Sequence, residues 1–141
     1  MRFDVDTLAA VVRDACPEAV FAFLHGSARD GVVRDGGDID IALYLDGPAT
    51  LEVLSRVIAA AEGFVPGVRC DCGVLNNADC VYRFEALKGR LLFRRDDDTY
   101  AEFFSLTCRE YEDQMADYER QRRYRLEYRA DHATGPGRKS S

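Results

Sequence analysis

The stretch His25–Leu45, HGSARDGVVRDGGDIDIALYL, decides how this chain is read. Just before it lies Ala19–Leu24, AVFAFL, a short run of β-branched and aromatic residues with strand character. The order is therefore strand, Gly26-Ser27 turn, glycine-rich connection, and a second strand opening on Asp38-Ile39-Asp40. Side chains alternate across a strand, so Asp38 and Asp40 point one way while Ile39, Ile41, Leu43 and Leu45 point into the core. Gly26-Ser27 opens a turn or short helix whose backbone N–H groups are free to meet an anion. Two acids held on a rigid strand beside such a turn suit a divalent cation carrying phosphates.

Outward from this stretch, strands and helices alternate. Asp6–Ala15 has Leu8, Val11, Val12 and Ala15 at helical spacing, with Thr7 or Asp6 as its cap and Pro17 beyond its end. Asp46-Gly47-Pro48 closes the second strand, and Thr50–Ala61 reads as an amphipathic helix. Val68–Leu75 is a third strand, Ala78–Leu87 a helix and Arg90–Arg94 a short strand. One long helix is predicted from about Asp97 to Arg129. Its stripe of Tyr100, Phe104, Thr107, Tyr111, Met115 and Tyr118 is read as packing on the sheet in its first half. The domain spans 1–129, and Ala130–Ser141, ADHATGPGRKSS, reads as a disordered tail.

Composition narrows the function class. A chain of 141 residues, 47% hydrophobic and 31% charged, is sized for one globular domain with a real core. The opening MRFDVDTL has no signal-peptide pattern and no run is long enough to span a membrane, so a cytoplasmic protein without a membrane partner is expected. Five cysteines, an odd number, read as reduced thiols, and Cys70, Cys72 and Cys80 fit no common zinc spacing. The net charge of −6 argues against direct nucleic-acid binding. Basic residues nevertheless crowd the end, at Arg120–Arg129, Arg138 and Lys139, which points to a partner surface there.

Asp71 is the candidate third acid. It stands mid-strand among Cys70, Cys72 and Gly73, small residues that leave room for a ligand. Lone acids inside strands are unfavourable unless paired or bound to metal. With the second and third strands adjacent in one sheet, Asp38, Asp40 and Asp71 form a carboxylate cluster. Mg²⁺ relieves the repulsion in such a cluster and takes substrate phosphates as further ligands.

Gly26-Ser27, ten residues, Asp38-x-Asp40 and a later strand acid at Asp71 resemble the DNA-polymerase-β nucleotidyltransferase superfamily. The chain's size, the Asp-Ile-Asp-Ile run and DCGVLNNA at 71–78 resemble its minimal nucleotidyltransferase (MNT) branch. The resemblance covers roughly Ala19–Leu92. It implies an α/β fold of the polymerase-β type, a small mixed sheet flanked by helices with a long C-terminal helix. It implies two Mg²⁺ ions on Asp38, Asp40 and Asp71, with Asp71 also orienting or deprotonating the attacking hydroxyl. Gly26 and Ser27 would bind the outer phosphates of ATP, the co-substrate. For the MNT branch it further implies an antitoxin that forms a hetero-oligomer with a HEPN-family RNase toxin and attaches AMP to one of the toxin's tyrosines. Two other readings stand beside it: a small-molecule, antibiotic-type nucleotidyltransferase, and an antitoxin acting by binding alone. The chain departs from the family pattern at Asp30, where a basic residue is common, and at Gly37, where serine is often found.

Overall fold

The computed structural model describes residues 1–133. Nine elements follow in order: α1 (Val5–Ala15), β1 (Ala19–His25), a single 3₁₀ turn at Gly26–Ala28, β2 (Ile39–Leu45), α2 (Leu51–Phe64), β3 (Cys70–Val74), α3 (Cys80–Leu87), β4 (Arg90–Arg94) and α4 (Asp97–Ala133). The strands form one mixed sheet in the order β3-β2-β1-β4. β1 pairs antiparallel with β2 and β4. β2 and β3 run parallel, with α2 as the crossover such a pair needs.

Alternation along the strands sorts two cores onto the two faces of the sheet. Ala22 and Leu24 of β1, with Ile39, Ile41 and Leu43 of β2, pack against Leu8 and Val12 of α1 and Val53 and Val57 of α2. The opposite face carries Phe21 and Phe23 of β1 and Ala42 of β2, covered by Ala86 of α3 and Phe103 of α4. Phe21 organises this second core. Its ring stacks on Tyr44 at 4.8 Å and meets Tyr100 edge-on at 5.3 Å. Asp40 of β2 looks out on this aromatic side.

Several local expectations are corrected. Asp4 is the residue at the cap of α1, where its carboxylate accepts the Thr7 hydroxyl at 2.6 Å. β2 begins at Ile39 and leaves Asp38 one position outside it. Gly73 does not leave room for a ligand; the Tyr82 hydroxyl fills the space where its side chain would be. On α4 the inward aromatic is Phe103, 7% exposed, whereas Phe104 is 44% exposed. α4 also runs on through Ala133, so 130–133 of the stretch read as a tail are helical, and the rest of that stretch lies outside the described residues. No helix among the described residues is long and apolar enough to cross a membrane.

Candidate active site at the edge of the sheet

Strand register assembles the site. In β2 and β3 the parallel pairing sets Asp40 opposite Asp71, and in β1 and β2 the antiparallel pairing sets His25 opposite Asp40. Asp71, Asp40 and His25 therefore form a row across three strands, at steps of roughly 4.8 Å. Asp38, two residues before Asp40, extends the same edge. Paired residues on neighbouring strands share a face, so the row lies on the α3/α4 side.

The turn after β1 closes against this row. Gly26 has φ +76°, and the Asp40 carboxylate occupies the place a Cβ would take. Any side chain there would meet both a strained backbone and that carboxylate. Arg34 fastens the connection by donating to the Ser27 carbonyl at 2.8 Å, to the Val32 carbonyl at 3.2 Å and to Asp30 at 3.0 Å. The acid at the atypical position 30 is thus bound to its own loop.

Burial raises the Asp40 carboxyl above the usual carboxylate range, and Asp71 and Asp38 push it further the same way. A positive His25 would oppose this. Burial, however, lowers the His25 pKa despite the nearby Asp40, Asp71 and Glu85. Near pH 7 the ring is therefore neutral and offers Asp40 little relief. Tyr82 covers the row from α3, its ring edge-on to His25 at 5.6 Å. Its hydroxyl is pushed up to about 12 by burial first, then by Asp71. It keeps its proton and can donate.

Of the residues singled out in the sequence, the fold brings together Asp38, Asp40, Asp71 and Gly26, with Ser27 in the adjoining turn. The acids lie along an edge and do not close round a point. Among the described residues no three histidine, cysteine or acidic side chains surround one metal position. Their chemistry still fits a hard cation, since they are oxygen donors of like charge, one of them held above its ordinary pKa. Asp79 takes no part; it caps α3 by accepting the Val81 N–H at 3.0 Å. Continuing the β1 alternation of Phe21 and Phe23 by one step places His25 in the row. Tyr82 carries no such signal, because it reaches the row through the packing of α3.

Comparison with known proteins identifies the family and the fold. Residues 7–98 match the family described as polymerase beta, nucleotidyltransferase. No curated protein matches the chain. Among solved structures, a chain of a mutant MntA-HpeT toxin–antitoxin complex superposes with a TM-score of 0.70 at 16% identity, covering 88% of this chain and 99% of that one. A chain from a toxin–antitoxin complex with AMP-PNP gives 0.68 at 17% identity, over 88% and 99%. A third, from a complex of tri-AMPylated Shewanella oneidensis HEPN toxin with MNT antitoxin, gives 0.62 at 16% identity, over 86% and 95%. At such identities the likeness establishes the fold, and the family match goes further: the chain belongs to the polymerase-β nucleotidyltransferase family.

Proposed function

We propose that the protein is an MNT antitoxin that transfers AMP from Mg-ATP to a tyrosine of a partner HEPN toxin. The observation that carries this reading is the register that sets Asp40 opposite Asp71, with Gly26 pressed against Asp40. Asp38, Asp40 and Asp71 are the residues that would hold Mg²⁺, which when bound neutralises triphosphate charge. The Gly26-Ser27 turn offers its backbone and the Ser27 hydroxyl to the phosphates. Asp71, exposed at the outer end of the row, meets the acceptor hydroxyl, orients it and takes its proton. The tyrosine oxygen bonds to the α-phosphorus, the bond from that phosphorus to the bridging oxygen breaks, and pyrophosphate leaves. The AMP-PNP complex and the AMPylated HEPN toxin among the similar structures favour ATP as donor and a protein as acceptor.

The test is incubation with Mg-ATP and the cognate HEPN protein, followed by mass spectrometry of both chains. A gain of AMP on a toxin tyrosine, absent with the Asp38→Asn, Asp40→Asn double variant, is the expected result. Toxin neutralised without any mass gain would replace this reading with inhibition by contact. Transfer to an aminoglycoside in the absence of the partner would overturn the protein acceptor.

A further inference from the structure

On the side of β1 away from the acids, the sheet edge turns positive. β1 pairs with β4 through Leu24 and Arg90, so the Lys88-Gly89 turn leading into β4 lies beside His25 and Gly26. The approach is close: a Cβ on Gly89 would run into the Leu24 carbonyl and the His25 backbone. Between the two turns is a cavity of about 620 Å³ lined by His25, Gly26, Arg29, Glu85, Lys88 and Gly89. Across the sheet end the order is thus Asp71, Asp40, the Gly26 turn, then Lys88. Asp40 lies on β2 and Lys88 at the end of α3, just before β4, with β1 between them.

The cations of this region are not equally available. Arg34 is occupied by Asp30 and by the Ser27 and Val32 carbonyls. Among the described residues Arg29 donates to the Gly26 carbonyl, at a long 3.5 Å. Lys88 lies over the Phe84 ring at 5.6 Å and pairs with Glu85 at 2.9 Å, both side chains about half exposed. Such exposed pairs exchange easily for a stronger anion.

The geometry points to Lys88, seconded by Arg29, as the receptor for the outer phosphates of the nucleotide, and so as the group that distinguishes a triphosphate from a monophosphate. This rests on the nucleotidyltransferase reading, which sets the α-phosphate at the acids. The outer phosphates then extend over Gly26-Ser27 into the cavity. An ammonium binds phosphate as a mobile point charge, and this one sits on a backbone fixed by Gly89.

The test is calorimetric titration of the whole protein with AMP-PNP and, separately, AMP, both with Mg²⁺. Lys88→Ala should weaken AMP-PNP by about tenfold or more, the usual worth of a charge-assisted contact, and leave AMP within about twofold. Lys88→Arg should restore most of the loss, and Arg29→Ala should cost less than Lys88→Ala. An unchanged melting temperature confirms that the variants are folded. If AMP-PNP binds Lys88→Ala as tightly as wild type, or if both nucleotides weaken equally, the assignment of Lys88 is overturned and the proposed function stands. If the wild-type protein binds neither nucleotide, the nucleotidyltransferase reading itself falls.

Discussion

The edge of the sheet and the far half of α4 are built on opposite terms. At the edge, Asp40 is paired on both sides, with Asp71 and His25 as its neighbours on β3 and β1, and His25 and Asp40 are partly buried, with Gly26 against Asp40 and Tyr82 against His25. From Ala116 to His132 every residue of α4 is exposed; Tyr118, Tyr124 and Tyr128 are 56%, 69% and 53% accessible. The ion pairs of that half, Arg120 with Asp117 and Arg122 with Glu119, stay within the helix. A strand's partners fix where its side chains stand relative to other strands. An isolated helix fixes only where its side chains stand relative to each other. A motif laid on the first is already a site, whereas a motif laid on the second waits for something to face.

The sharpest way to break this contrast is at Asp40. Asp40→Asn should lower AMP transfer at least a thousandfold, about 4 kcal/mol of barrier, read from initial rates with the partner protein. Its melting temperature should hold or rise, because a desolvated carboxyl held above its ordinary pKa is removed. Transfer within tenfold of wild type would mean that the row is not the reacting edge. Gly26→Ala comes next. It forces a residue with a Cβ into φ +76° and against the Asp40 carboxylate, at a cost of about 1–3 kcal/mol in urea unfolding. Stability unchanged by that variant would show that the turn gives way, and that the register does not hold the site.

What could be read in the sequence follows the same divide. The acids and the Gly-Ser turn were legible because period-two alternation and a fixed ten-residue spacing are enough to put them on one sheet edge. The Asp40–Asp71 neighbourhood needed only that α2 be a crossover between parallel strands. Tyr82 and Lys88 were not legible. They reach the edge through the packing of α3 and the tight turn at Gly89, whose close contacts are with Leu24 and His25, more than sixty positions away. The role of Gly73 was misread for the same reason, since only tertiary packing reveals that Tyr82 fills its space. On α4, choosing Phe104 over Phe103 was an error of helical phase by one residue. That stripe holds for Tyr100 and Thr107 and fails between them because Phe103 meets Phe21 at 5.0 Å.

The near half of α4 supplies a smaller test of where the fold stops. Thr107 is fully buried, and its hydroxyl accepts from Arg83 at 3.2 Å, while Arg83 also binds Glu110 at 2.5 Å. Thr107→Val keeps the shape and removes the acceptor, which should cost about 1–2 kcal/mol in urea unfolding. A neutral result would move the boundary of the folded unit from Thr107 back toward Phe103.

The smallest effect is expected at the other end of the same helix. Tyr124→Ser, Leu126→Ser and Tyr128→Ser together remove three exposed apolar side chains, 69%, 50% and 53% accessible. Burial stabilises only what leaves water, so each change should stay within about 0.5 kcal/mol, with helix propensity as the main residue of cost. The triple variant should melt within a few degrees of wild type and do so at every protein concentration. A melting temperature that falls on dilution in the wild type, and no longer does so in the variant, would mean that this half is covered by a second copy in solution. The contrast between a built edge and an unpartnered helix would then describe the isolated chain and not the protein at working concentration.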